Sequence, residues 1–125
     1  MTARTPSSKK AKGNRAERKV AEAYRRYDID PKASRMPMSG AMAWHKGDIW
    51  KPGDYKYVDE VKCQETVKFW AFWQQAQEQV KMGQVPVLHI TGNNRPILTV
   101  LDMEDYMDLR KQVMDLEKII KEMES

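Results

Sequence analysis

The chain has 125 residues, of which 41% are hydrophobic, and it carries a formal net charge of +4. This length fits one compact domain with a modest core, and the positive charge favours a polyanionic partner. A single cysteine, Cys63, and the absence of any long apolar run exclude an intrachain disulfide, a membrane helix and a secretory signal, so we expect a cytoplasmic protein with no membrane partner.

The amino-terminal end is strongly basic. Residues 1–12 lack an apolar period and are expected to form a disordered basic arm. Asn14 is then expected to cap a helix that runs to about Tyr27, with apolar residues at helical spacing. Basic side chains in both segments are expected to bind phosphate groups without reading a base sequence: Lys9, Lys10, Lys12, Arg15, Arg18 and Lys19.

The middle of the chain predicts short strands and loops before one strong strand. Residues 33–47 predict a short strand and an exposed loop, and residues 48–50 predict a second short strand that ends at a Lys-Pro-Gly-Asp turn. Residues 55–63 are rich in aromatic and β-branched side chains and form the clearest strand. A helix is expected over residues 67–82, with Gly83 at its C-cap.

The last third of the chain predicts a hairpin and a long helix. Strands are expected over residues 85–91 and 96–101, joined by a turn at Gly92-Asn93-Asn94. Asp102 is expected to cap a final helix that extends nearly to the carboxyl terminus. This order of elements predicts an α/β fold with a mixed β-sheet flanked by helices and a long C-terminal helix.

The final helix carries an apolar seam. Its members recur at spacings of 3, 4, 3, 4 and 3 residues: Tyr106, Leu109, Val113, Leu116, Ile120 and Met123. The seam lasts for about two and a half heptads. It could pack on the protein's own sheet or pair with a second subunit, and we favour a homodimer.

Two acids and a lysine are expected to meet at one edge of the sheet. Glu60 and Lys62 lie two residues apart on the strong strand and therefore project to the same face. A hairpin across Pro52-Gly53 could place Asp48 beside Glu60, where a divalent cation would relieve the repulsion between the carboxylates. Such a cation would activate a water for attack on a phosphate, and Glu17, an isolated acid on the basic helix, is the natural additional ligand. A Glu-X-Lys triplet alone more often marks a solvated strand face, and its combination with the basic helix favours the metal site.

Several segments resemble the PD-(D/E)XK nuclease superfamily and, within it, the archaeal-type Holliday junction resolvases. The similarity covers about residues 13–101, which would form a nuclease core between the arm at 1–12 and a C-terminal helix at 102–125 that is a candidate dimerisation element. Five segments carry it: the opening helix Asn14 to Val20, the loop Arg35 to Gly40, Gly47-Asp48-Ile49 in the place of a Pro-Asp-Ile segment, the triplet Glu60-Val61-Lys62, and the strand Gln84 to Leu88.

The resemblance implies a restriction-endonuclease-like fold and paired phosphodiester hydrolysis that resolves four-way DNA junctions. The implied cofactor is Mg²⁺, for which Mn²⁺ can substitute, and the implied source is a phage or a prokaryote. No nucleotide cofactor is expected, because the chain contains no Gly-rich phosphate loop.

The resemblance also assigns roles to residues. Glu17, Asp48 and Glu60 would bind the metal, and Lys62 would be catalytic. The remaining assignments are Ser39 as a further catalytic residue, Arg35 as a DNA contact, and Gln74 or Gln75 as a glutamine that joins the site from the second helix.

Two other functions stay open beside junction resolution. A nuclease of the same fold could act on linear, nicked or flapped DNA. A non-catalytic DNA-binding module is the other alternative, although a pure binder gains nothing from carboxylates that face phosphate groups.

Overall fold

The structure is a computed structural model that describes residues 6–37 and 47–125. Its elements follow the order α1 (Pro6–Arg26), β1 (Ser34–Arg35), β2 (Ile49–Trp50), β3 (Tyr57–Cys63), α2 (Phe69–Glu78), β4 (Val85–Thr91), β5 (Leu98–Val100) and α3 (Met103–Glu124). Ser39, one of the residues expected in the site, lies outside the described residues.

The central sheet is mixed, which confirms the predicted fold class. Strands β3 and β4 are parallel, in a register that runs from Tyr57 opposite Val85 to Cys63 opposite Thr91. Strand β5 is antiparallel to β4, so the order is β3-β4-β5, and β1 and β2 form a separate antiparallel pair. Parallel neighbours need a long crossover, and α2 supplies it. The result is a restriction-endonuclease-like α/β fold with a long C-terminal helix.

Helices cover both faces of this sheet. One cluster of buried residues joins α1 to the strands: Ala16, Val20, Ala21, Ile49 and Val61. The second joins α2 to β4: Phe72, Trp73, Ala76 and Leu88. Because side chains alternate along a strand, β3 directs Val61 towards α1 while its neighbour Glu60 lies on the side of α2.

The first helix is longer than the sequence predicts. It begins at Pro6, so residues 6–12 are helical although they were expected to belong to a disordered arm. The expectation that Asn14 caps the helix is wrong, since Asn14 lies inside it. Proline is favoured at the first helical position, and the following residues are mostly lysine and alanine, which favour helix.

The second helix is shorter than predicted, and Gly83 is not its C-cap. Helix α2 ends at Glu78, and Gln79 occupies the C-cap position. Gly83 instead has a φ of +84° in a turn that is closed by a hydrogen bond from Gln84 N to Lys81 O at 2.9 Å. Glycine suits the third position of such a turn because it tolerates a positive φ, and the turn directs the chain into β4.

Helix α3 starts where the sequence predicts and leaves its apolar seam uncovered. The Asp102 side chain accepts a hydrogen bond from Glu104 N at 2.9 Å, which caps the helix. None of its residues is buried, and Leu116 in the middle of the seam is 59% exposed. No helix in the described part of the chain is both long enough and apolar enough to cross a bilayer.

Candidate active site

Strand β3 holds Glu60 and Lys62 side by side, as the alternation along the strand predicts. The distance from Lys62 Nζ to Glu60 Oε1 is 3.1 Å. Glu60 is only 4% exposed, whereas Lys62 is half-buried. The pair therefore presents one carboxylate and one ammonium group at the edge of a rigid strand.

Asp48 docks on the same strand from the neighbouring segment. Its N–H donates to Asp59 O at 2.8 Å, and its Oδ2 accepts from Val61 N at 2.7 Å, so both its backbone and its side chain follow the edge of β3. A Cβ on the preceding Gly47 would lie 2.9 Å from Val58 Cγ1 and 3.2 Å from Asp59 O. Glycine at this position therefore permits the close approach that places the Asp48 carboxylate next to Glu60.

The three predicted acids influence one another electrostatically. Burial, followed by the charge of Glu60, raises the pKa of Asp48 to about 7, and Glu17 adds to the rise. Burial also raises the pKa of Glu17, and the charge of Glu60 contributes to that shift. Lys62 opposes the rise at both carboxyls. The charges of Glu17, Asp48, Glu60 and Lys62 therefore act on one another, and we refer to these four residues as the coupled group.

Arg35 faces the first helix and its glutamate. Its Nη2 donates to Asn14 Oδ1 at 2.7 Å, and its Nε lies 3.8 Å from Glu17 Oε2. Arg35 therefore spans one turn of α1 and neutralises part of the charge of Glu17. A contact between Arg35 and DNA stays a prediction.

The glutamine beside the site is Gln79, which the sequence reasoning missed. Its Nε2 donates to Glu60 Oε2 at 2.5 Å, whereas Gln74 bonds to the exposed Glu78 and Gln75 is exposed. A signal was present, because Gln79 continues the buried stripe of Phe72 and Ala76 at helical spacing, and a polar residue at the end of such a stripe needs a polar partner.

The donor set fits a divalent cation. Glu60 is buried and Asp48 and Glu17 are half-buried, and one oxygen of Asp48, Oδ2, accepts the hydrogen bond from Val61 N. Gln79 Oε1 is buried beside Glu60 and has no hydrogen-bond partner among the described residues, which suits a bound water. Residues 6–37 and 47–125 contain no ready-made group of three or more His, Cys, Asp or Glu ligands. Mg²⁺ rarely needs one, since it uses one or two carboxylates together with waters and substrate oxygens.

The predicted phosphate-binding residues lie along α1. Five of them are exposed on the helix surface: Lys9, Lys10, Arg15, Arg18 and Lys19. Lys12 is half-buried and donates through its Nζ to Asn93 Oδ1 at 2.8 Å. The predicted phosphate-binding residues and Glu17 therefore lie on the same helix. A DNA strand held by these residues would pass close to Glu17.

A buried ionic network supports the site from the other face of β3. Asp59 is fully buried, and its carboxylate lies 2.8 Å from Lys51 Nζ and 2.7 Å from His89 Nε2. The Tyr24 hydroxyl also donates to it. Although burial opposes ionisation, the hydrogen bond from His89 and the charge of Lys51 keep the pKa of Asp59 below its ordinary value. This network fixes the residue that directly precedes Glu60.

Without a divalent cation, the protein is expected to lose stability as the pH rises from about 4 to about 7. The ordinary pKa of Asp48 is 3.8 and its folded value is about 7, so in this range the folded state binds more protons than the unfolded state and stability falls with rising pH. Asp59 acts in the opposite sense and at lower pH, because its pKa is lowered.

Thermal unfolding in EDTA at about pH 5 and about pH 8 measures this effect, with Asp48→Asn as the matched control. The wild type should lose more stability than the variant between the two pH values. Parallel pH profiles for the two proteins would show that Asp48 does not titrate in this range.

Comparison with known proteins identifies the family. A family model described as "Phage putative PDDEXK endonuclease" matches residues 8–125, which is nearly the whole chain. Neither a curated protein nor a solved structure matches the chain significantly. The matched region contains every member of the coupled group, and nucleases of this kind typically use divalent metals. The chain therefore belongs to the PD-(D/E)XK superfamily of nucleases, in a family of phage endonucleases.

Proposed function

We propose that this nuclease is a magnesium-dependent endodeoxyribonuclease that resolves four-way DNA junctions by paired strand cleavage. One observation carries the assignment of the site: the half-buried Asp48 and the buried Glu60 lie along β3, where the charge of Glu60 helps to raise the pKa of Asp48 and Lys62 lies 3.1 Å from Glu60. Neighbouring carboxylates repel each other unless one of them is protonated or a cation is bound, and a divalent cation allows both to stay charged at neutral pH.

The side chains divide the work of hydrolysis. Asp48 and Glu60, with Glu17 from α1, would hold Mg²⁺. When bound, the metal supplies Lewis acidity towards the phosphate and lowers the pKa of a coordinated water. Lys62 is held by Glu60 in a position to offset negative charge that develops on the phosphate. The expected products are a 5′-phosphate and a 3′-hydroxyl.

Gln79→Ala is expected to lower the cleavage rate by about 10- to 100-fold, because a group that orients a metal ligand contributes on that order. Gln79 would act through Glu60 and is therefore a positioning residue. The Mg²⁺ concentration that gives half-maximal rate should rise, a change that a purely structural defect would not cause. Gln74→Ala, which removes a similar amide from the exposed part of α2, should match the wild type. Equal metal dependence in the two variants would remove Gln79 from the site.

We further propose that the active protein is a homodimer paired through α3. The helix has 22 residues, or about 33 Å of length, and it buries none of its seam within the subunit. A second copy offers an identical seam, and parallel pairing would place Asp105 of one helix near Arg110 of the other, at the flanking positions of adjacent heptads. A two-fold dimer also presents two active sites to the two-fold related strands of a junction.

One assay distinguishes the candidate functions. A synthetic four-way junction, a matched linear duplex, a nicked duplex and a flapped duplex are each incubated with the protein and Mg²⁺, and the molecular mass is measured in parallel. Paired symmetric nicks in the junction alone, made by a dimer, are expected. Preferential cutting of linear, nicked or flapped DNA would show that this DNA, and not the junction, is the substrate. Binding without cleavage in every divalent metal would show that the protein is a DNA-binding module and not a nuclease.

A further inference from the structure

A basic groove separates α1 from the turn between β4 and β5. Its volume is about 230 Å³. It is lined mainly by polar and charged residues, among them Lys12, Arg15, Lys19, Asn93, Asn94 and Arg95. No acidic side chain is among the described residues that line it. The groove therefore concentrates positive charge in a concave surface, which favours an anionic ligand.

The cations come from two elements that are separate in sequence. Lys12, Arg15 and Lys19 recur at spacings of three and four residues and therefore share one face of α1. Arg95 contributes from the opposite wall, just after the turn. Lysines and arginines along one helix alone would form an ordinary solvated face. Here the cations lie on both walls and face the same groove.

The turn that carries Arg95 is held in place by hydrogen bonds. Asn93 accepts from Lys12 Nζ at 2.8 Å and donates through its N–H to Glu65 Oε1 at 2.7 Å, so that carboxylate is engaged by the turn. Thr91 Oγ1 donates to Arg95 O at 3.1 Å. The wall opposite α1 is thus tied both to the helix and to the segment that follows β3, which reduces the entropy lost on binding.

The groove is distinct from the acidic site. Glu17 lies two residues after Arg15 and two residues before Lys19. Side chains two positions apart on an α-helix point in directions that differ by about 200°. Glu17 therefore lies on the flank of α1 that faces Arg35, while the groove lies on the other flank. A ligand in the groove would not contact the candidate metal ligands.

The groove is large enough for part of a larger ligand, such as one or two phosphate groups of a polymer. Pockets that enclose a whole small molecule usually have volumes of about 300–1,000 Å³, and this groove is smaller. Phosphate groups along a DNA backbone suit a shallow site with several cations, because each contact releases condensed counterions.

We propose that this groove binds backbone phosphates of a duplex segment beyond the one being cut. The proposal rests on DNA as the substrate of the proposed function. Contacts on one flank of α1 would anchor the duplex, while the acids on the other flank meet the scissile phosphate. Arg95, Asn93 and Asn94 thereby join the DNA-binding surface through the β4–β5 turn.

The test compares Arg95→Gln with Lys32→Gln, which removes the same charge from an exposed position outside the groove. Affinity for a fluorescent duplex or junction is measured by anisotropy in EDTA over a range of salt concentrations. Arg95→Gln should weaken binding by about tenfold and reduce the slope of log K against log salt by about 0.9, the value for one lost phosphate contact. Lys32→Gln should match the wild type in both quantities.

Several outcomes separate this proposal from the nuclease assignment. If Arg95→Gln binds like Lys32→Gln, the groove proposal is overturned while the nuclease function stands. If the wild type binds DNA through Arg95 but never cleaves it, the proposal of a phosphate-binding groove is supported and the proposed nuclease function is overturned. If the wild type does not bind DNA in EDTA, the proposal that the groove binds DNA phosphates is overturned. Circular dichroism checks folding, and Asn94→Asp, which places a negative charge in the groove and should also weaken binding, replaces Arg95→Gln if that variant unfolds.

Discussion

Asp48→Asn should lower the single-turnover rate of DNA cleavage on the order of a thousandfold or more, because the loss removes charge from a group that must hold a cation in the transition state. The amide keeps the size of the carboxyl and can still accept the hydrogen bond from Val61 N. Glu60→Gln should have an effect of similar size. Binding of DNA in EDTA should be retained, since loss of a negative charge reduces repulsion of phosphate groups.

The matched control is Glu22→Gln, which removes a carboxylate from an exposed position on α1. Its cleavage rate and DNA affinity should equal those of the wild type. If Asp48→Asn cuts at the normal rate in Mg²⁺, the assignment of Asp48 as a metal ligand is wrong. A parallel loss of cleavage and binding would instead place Asp48 in substrate binding.

Asp59→Ala should reduce the free energy of unfolding by about 3–5 kcal/mol, because it leaves the charge of Lys51 buried without its main partner. Lys51 and Asp59 both have fully buried side chains. His89 and Tyr24 would also lose the acceptor that they share. Removal of one partner from such a network is far more destabilising than removal of an exposed ion pair. Urea unfolding measures the change.

Asp54→Asn is the comparison for this prediction. Asp54 also pairs with Lys51, at 3.1 Å, but its side chain is 20% exposed. Its replacement should therefore cost much less than that of Asp59, about 1 kcal/mol or less. An Asp59→Ala protein as stable as Asp54→Asn would show that the buried network contributes little to the fold.

The parts of the fold that sequence reasoning predicts well are those that local pattern determines. Strand β4 is observed with the predicted bounds, because Val85 to Thr91 is mostly apolar and is followed by a glycine turn. The N-cap of α3 at Asp102 is another local signal. Glu60 and Lys62 were placed on one face by alternation alone, which does not depend on what packs against the strand.

Features that depend on distant partners were not predicted. Lys51 begins the predicted turn, since Asp54 N donates to Lys51 O at 3.0 Å, but the burial of its side chain was not predicted. Lysine is rarely buried unless it is paired, and its partner Asp59 lies on β3. Gln79 was missed for the same reason, since its partner Glu60 lies 19 residues earlier in the chain. The early start of α1 shows a different limit, because helix propensity and disorder compete closely in short basic segments.

Direct measurement of metal binding tests the central claim that these acids share a divalent cation. Mn²⁺ is titrated into the wild type and Glu60→Gln, each bound to DNA with a non-hydrolysable phosphate linkage, and bound metal is counted by calorimetry or electron paramagnetic resonance. The account predicts Mn²⁺ bound at the site in the wild type and its loss, or an affinity lower by at least about tenfold, in Glu60→Gln. Equal Mn²⁺ binding by the two proteins, or none by the wild type, would contradict it.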